Sequence, residues 1–119
     1  MTRQAPLDRL LLTGAAGGLG KVLRDSLKPY ARTLRLSDVA AMAPAGDGEE
    51  TVPCDLADKA AVDALVKDCD AIVHLGGVSV ERPFEEILEA NIKGVFHIYE
   101  GARRHGVKRV VFALSLIHI

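Results

Sequence analysis

The sequence predicts a doubly wound α/β architecture, one parallel sheet with helices on both faces. Three observations carry that prediction: short uninterrupted apolar runs of strand length, amphipathic helical stretches between them, and a glycine-rich loop where the first strand meets the first helix. RLLLT at residues 9–13 is an apolar run that stops at glycines, as a central strand buried on both faces does. After the glycines, Leu19, Val22, Leu23 and Leu27 recur at three- and four-residue intervals, forming one apolar stripe on a helix that Pro29 ends.

TLRLS at residues 33–37 is the second strand, and the polar, turn-rich APAGDG of residues 43–48 connects rather than packs. TVPC at residues 51–54 is expected as a third strand at a sheet edge, because Pro53 has no N–H to give a ladder. Asp58 is placed to cap a helix over residues 59–67 whose Val62, Leu65 and Val66 face inward, and AIVHL at residues 71–75 is the fourth strand. A long helix follows Pro83, with Phe84, Ile87, Leu88, Asn91, Ile92, Val95, Phe96 and Tyr99 as its expected core stripe and Gly106 as its stop. RVVFA at residues 109–113 is the fifth strand. Strands and helices alternating in this way give a Rossmann-type sheet, expected in the order 3-2-1-4-5.

Composition narrows the function. With 119 residues, a net charge of −1 and 49% hydrophobic residues, the chain describes one globular core, not a disordered tail or a polycation that coats nucleic acid. The short apolar run near the amino terminus is flanked by Arg3, Asp8 and Arg9 and is too short for a secretory or spanning segment, so a cytoplasmic protein is expected, without membrane or nucleic-acid partners. Cys54 and Cys69 lack the spacing of a metal or redox pair and are expected as reduced packing thiols, with no metal implied.

In TGAAGGLG at residues 13–20, Gly14, Gly17 and Gly20 form a GxxGxxG loop between strand and helix. Gly14 allows the tight turn, Gly17 lets a pyrophosphate approach the backbone, and Gly20 brings the helix close. The helix amino terminus, from Ala16 through Gly18 and Leu19, supplies N–H groups and partial positive charge to phosphates. Asp38 ends the second strand eighteen residues past Gly20, near the spacing at which a carboxylate accepts from both adenosine ribose hydroxyls. It would repel a 2′-phosphate, and Val39-Ala40-Ala41 offers no arginine to neutralise one, so NAD is favoured over NADP. Asp55, after the third strand, is either a partner of the adenine amino group or an acid in a helix-leading turn.

The glycine loop, Asp38, CDL at residues 54–56, VHLGG at residues 73–77 and NIKGVFHIYEGARRHGVKRVVFA from Asn91 together resemble the extended short-chain dehydrogenase/reductase superfamily, in its NAD-dependent epimerase/dehydratase group. The resemblance runs over residues 9–113. Within the group, HLGGVSVERPFEEILEANIKG is most similar to enzymes that oxidise galacturonate or glucuronate at the anomeric carbon to an aldarolactone with NAD. The resemblance implies that Leu56 belongs to the cofactor site, that Leu75, Gly76 and Gly77 line the nicotinamide-side ribose, and that Ser79 touches the sugar acid. Ser79 also has a plain reading as a loop hydroxyl or turn residue. It also implies that Asn91 braces backbone and water near the catalytic centre, which is compatible with a structural amide. A homo-oligomer is compatible with the family for a full-length protein. His74 is expected to be packed or hydrogen-bonded, and His97 and His105 are assigned no role.

Hydride transfer in this superfamily relies on a Ser or Thr and a Tyr-x-x-x-Lys pair. Tyr30 is followed four residues on by Leu34, and Tyr99 by Arg103, so the chain is expected to be an amino-terminal, NAD-binding piece without a catalytic base. Two further readings belong to the same residues: a nucleotide-sugar epimerase or dehydratase, and a non-catalytic NAD-binding sensor. The final LSLIHI, residues 114–119, departs from the family, and the end sequence of a common transposon-based sequencing adapter, CTGTCTCTTATACACATC, translates to the same six residues. Residues 114–119 are therefore expected to be non-native, which leaves Ser115 doubtful as a catalytic serine; any other codons at these positions would rule the idea out.

Overall fold

The computed structural model describes residues 6–75, 85 and 88–112. Five strands form one parallel sheet: β1 Leu7–Thr13, β2 Ala31–Ser37, β3 Glu49–Thr51, β4 Ala71–His74 and β5 Arg109–Phe112. Their order is β3-β2-β1-β4-β5, as the sequence predicts, with the reversal of winding between β1 and β4. The helices are α1 Gly18–Leu27, α2 Lys59–Val66 and α3 Gly94–His105, the last entered through a π-helical turn at Leu88–Lys93.

β1 is hydrogen-bonded on both sides, Leu10 to Leu34 and Ala71 in register, Leu12 to Leu36 and Val73. Alternation along the strand then divides its side chains between two cores. Leu11, Ile72, Val62, Leu65, Val66 and Ile98 fill the layer under α2 and α3. Leu10, Leu12, Leu34, Leu36 and Ala71 fill the layer under α1, with Leu23 and Leu27 packed against them. Leu11, Leu12, Leu36, Val62, Val66, Ile72 and Ile98 have no exposed surface, each contributing about 1.5–3 kcal/mol by leaving water. Cys54 and Cys69 are buried free thiols, and burial pushes both up to about 11, so they are protonated packing groups.

The ends of the helices follow their sequence signals. The Asp58 side chain accepts from the Ala61 amide and caps α2, and Gly106, at φ 68, closes α3 in the left-handed conformation. α1 ends at Leu27 and passes into a single 3-10 turn, Lys28–Tyr30, that contains Pro29.

Three expectations are corrected. β3 is Glu49–Thr51, earlier than the apolar TVPC pattern suggests, because its pairing is fixed by charge: Arg9 Nε and Arg35 Nε donate to Glu50 Oε1 at 2.8 and 2.7 Å. The stripe on α1 is only half buried, since Leu19 and Val22 are 55% and 60% exposed while Leu23 and Leu27 pack. Ile92 in the π-helical turn and Phe96 and Tyr99 on α3 are exposed, and the face of α3 that meets the core carries Gly94, Ile98, Gly101 and Ala102. The reason is steric: a Cβ on Gly101 would lie 2.5 Å from Val66 Cγ2, so the helix can approach α2 only on its small-residue face.

Glu49 anchors the other side of β3. Its side chain is 2% exposed and accepts from Arg24 Nε and Nη2, each at 2.9 Å, while Arg24 also donates to the carbonyls of Ala43 and Pro44. The Arg24 guanidinium holds the Glu49 carboxyl down at about 2, against an ordinary 4.5. The folded protein therefore binds fewer protons here than the unfolded chain, so this stabilisation is complete above about pH 4.5 and is lost as pH falls towards 2. Arg24→Ala is expected to cost about 1–3 kcal/mol at neutral pH and to flatten that acid-limb loss. Urea unfolding of both proteins across the acid range checks this, and parallel pH dependences would contradict it.

Candidate functional site

The site forms at the carboxyl ends of β1, β2 and β4, where the winding reverses and loops leave the sheet together. Thr13 is the last residue of β1, and Gly14 follows at φ 71, a conformation that a side chain disfavours. The chain turns at once: the Gly17 amide donates to the Gly14 carbonyl at 3.1 Å, and the Lys21 amide to Gly17 at 2.9 Å. α1 begins immediately, with Gly17 as its cap residue and neither a side-chain cap nor an acidic residue in its first turn. The Gly18, Leu19 and Gly20 amides precede the first intrahelical donor and thus form an uncapped, partly positive helix end.

The three sequence glycines have distinct duties. A Cβ on Gly20 would lie 2.1 Å from the Gly14 carbonyl oxygen and under 3 Å from the Ala15 backbone, so here the close approach is of helix to loop. A Cβ on Gly17 would reach that oxygen at 3.4 Å, and one on Gly18 would meet nothing within 4 Å. Open space thus lies beside Gly18 at the helix end.

Asp38 follows β2 and reaches across to this loop. Its Oδ2 accepts from the Ala16 amide at 2.9 Å and its Oδ1 from the Ala40 amide at 3.0 Å. The Ala16 amide therefore serves the carboxylate, while each Asp38 oxygen keeps a second acceptor site. The Asp38 carbonyl accepts from the Cys54 amide at 3.3 Å, which places Asp55 beside the same end of the crevice. Asp55 is exposed, and its Oδ1 accepts from the Ala57 amide at 2.9 Å, a turn bond that leaves Oδ2 available. Leu56 is half-buried against the α2–α3 core.

On the β4 side, Leu75 packs against the α1 core, and its amide donates to Thr13 Oγ1 at 3.0 Å. Thr13 Oγ1 also lies 2.6 Å from His74 Nδ1. His74 is 3% exposed and edge-on to Phe112, and burial alone drives its pKa down to about 4. It is a neutral packed imidazole, the reading given by its place in an apolar strand. Asn91 is half-buried in the π-helical turn. Gly76, Gly77, Ser79 and Ser115 lie outside the described residues, as do residues 114–119 as a whole.

Sequence reasoning overlooked three contributors: Thr13, which joins β1 to β4 through its hydroxyl; Arg24, which fixes the segment after Asp38; and His97, whose Nδ1 lies 2.7 Å from the Leu56 carbonyl. Only Thr13, directly before the glycines, carries a local signal. Among the described residues no group of three or more His, Cys, Asp or Glu could hold a metal ion, and no helix is long and apolar enough to cross a membrane.

A glycine cradle followed by a strand-end acid describes many dinucleotide folds, and the family profile decides among them. The NAD dependent epimerase/dehydratase profile matches residues 10–117. The chain belongs to that family. Among curated members, the uronate dehydrogenase of Pseudomonas syringae pv. tomato is 74% identical over 115 residues, which is 96% of this chain and 42% of that protein. The uronate dehydrogenase of Pseudomonas putida is 68% identical over 92% of this chain and 41% of its own length. The structure of a mutant of the Agrobacterium tumefaciens uronate dehydrogenase complexed with NAD superposes with a TM-score of 0.87 at 59% identity, over 89% of this chain and 40% of that one. The chain thus spans about two fifths of the length of these epimerase/dehydratase family members.

The cradle makes a paired prediction. Gly20→Ala is expected to destabilise the fold by about 1–3 kcal/mol because backbone must move, whereas Gly18→Ala is expected to be neutral or stabilising by up to about 1 kcal/mol. Thermal unfolding of the two variants checks it, and equal midpoints would refute the geometry.

Proposed function

We propose that this chain is the NAD-holding part of an enzyme that oxidises a hexuronate, galacturonate or glucuronate, at its anomeric carbon to an aldarolactone. The observation that carries the cofactor is the pairing of an uncapped helix end with Asp38 across the Gly14–Gly20 turn. The uronate is supported by the level of identity to uronate dehydrogenases over nearly the whole chain. NAD, when bound, supplies the nicotinamide that accepts the hydride.

The residues present fit that group. The Gly18, Leu19 and Gly20 amides would take the pyrophosphate, and the second acceptor sites of Asp38 the adenosine ribose hydroxyls. Asp55 Oδ2 would accept from the adenine amino group, with Leu56 beside it. Leu75, carried on Thr13, would lead into Gly76 and Gly77 along the nicotinamide-side ribose, with Asn91 bracing that end and Ser79 meeting the sugar acid. Neither tyrosine is placed as a base: Tyr30 is 65% exposed, and Tyr99 is 54% exposed with its ring 4.9 Å from that of Phe112. In this reading the chain binds and orients the cofactor, and the base that removes the anomeric proton is supplied by residues beyond it.

NAD is expected to bind this chain weakly and NADP more weakly still. Asp38→Asn removes the charge while keeping one acceptor, and is expected to weaken NAD about 5- to 30-fold and narrow the gap to NADP. Calorimetry with both nucleotides checks this; NADP binding as well as NAD, or NADH appearing when the chain alone is given NAD and galacturonate, would overturn the reading.

A further inference from the structure

One face of α3 is built around the turn that precedes α2. A Cβ on Gly94 would lie 2.9 Å from Leu56 Cβ, and a Cβ on Gly101 would lie 2.5 Å from Val66 Cγ2. Seven residues apart, the two glycines set the helix down at both ends of one contact. His97 and Ile98 lie between them; Ile98 is fully buried in the core, and His97 Nδ1 reaches the Leu56 carbonyl at 2.7 Å. A carbonyl oxygen only accepts, so Nδ1 carries the proton and donates. The bond therefore fixes the imidazole tautomer: when neutral, His97 is protonated at Nδ1 and not at Nε2.

The turn so held is the one that carries Asp55. The Cys54 amide is bound to the Asp38 carbonyl, the Asp55 carbonyl accepts from the Asp58 amide at 3.0 Å, and Asp55 Oδ1 is occupied by the Ala57 amide. Asp55 and Leu56 are thus fixed from the sheet side by Asp38, from the helix side by Asp58, and from above by His97.

We propose that His97 is a positioning residue for the adenine end of the site: its Nδ1–H holds the Asp55–Leu56 turn at the depth where Asp55 Oδ2 meets the adenine amino group while Asp38 meets the ribose. The proposal rests on the NAD-binding reading above. It assigns a function to a side chain placed to act through the backbone of the turn rather than on a ligand.

Two substitutions separate the hydrogen bond from packing. His97→Asn places an amide nitrogen where Nδ1 stands; His97→Gln moves that donor one methylene outward, to the place of Nε2. The three 119-residue proteins are compared by nitrogen-edited NMR, which reads the His97 tautomer directly and follows titrations with adenosine monophosphate and, separately, with pyrophosphate. The neutral His97 ring is expected to be protonated at Nδ1. His97→Asn is expected to bind adenosine monophosphate within about twofold of the parent, and His97→Gln about 3- to 10-fold more weakly, while the Gly18–Gly20 amides respond to pyrophosphate equally in all three. A ring protonated at Nε2, a Gln variant that binds like the parent, an Asn variant as weak as Gln, or a parallel loss of pyrophosphate would each overturn the proposal. Absence of any response to adenosine monophosphate or NAD in the parent would overturn the cofactor reading and this proposal together, an outcome distinct from the others.

Discussion

The double pairing of β1 is the constraint on which the rest of the molecule depends. A strand hydrogen-bonded on both edges and packed on both faces has no solvent to turn to, so Leu10, Leu11 and Leu12 must all be buried, and they are 3% exposed or less. Its end must then be satisfied by neighbours. Ala15 donates to Ser37 on one side, and Leu75 to Thr13 on the other. The glycine turn inherits its position from those two bonds, and α1 inherits its start from the turn. The turn is therefore placed by the sheet and not by the loop itself, whose glycines are the residues with the widest backbone freedom.

Most of the architecture was legible because the signals were local. Apolar runs of strand length and the cap residues Asp58 and Gly106 each concern residues close in sequence, and each corresponds to an observed feature. The sheet order followed from the alternation of elements and the handedness of crossovers. The failures concerned elements whose position is set by something distant. β3 has no buried residue, so its three positions are chosen by Arg9 and Arg35 reaching Glu50 across the sheet. Along the π-helical turn and α3 the apolar count favours Ile92, Phe96 and Tyr99, yet contact with α2 is decided by how near the backbone can come, and there small residues win over large ones.

The candidate site shows the same division. The glycine turn and the acid that faces it could be read from residue types and spacing, and the structure brings Asp38 onto the Ala16 amide of that turn. The support around them could not, because Arg24, Thr13 and His97 act through partners 19 to 62 residues away. His74 illustrates the middle ground. Its burial in a strand was legible, but its bond to Thr13 and its place against Phe112 required three strands to be aligned first.

The charged attachment of β3 has a consequence for how the molecule opens. Because the strand buries no apolar side chain of its own, separating it from β2 would expose little apolar surface, and what resists separation beside the backbone ladder is charge: Arg9 and Arg35 on Glu50, and Arg24 on the buried Glu49. Such contacts weaken with ionic strength where they meet solvent, whereas the cores under the helices do not. The sheet thus has a margin whose side chains hold it by charge more than by apolar burial, and that margin borders the end of the crevice formed by Asp38 and Asp55. The half-exposed contacts of Glu50 are the part of that attachment open to salt, and the buried Arg24–Glu49 pair is the part that is not.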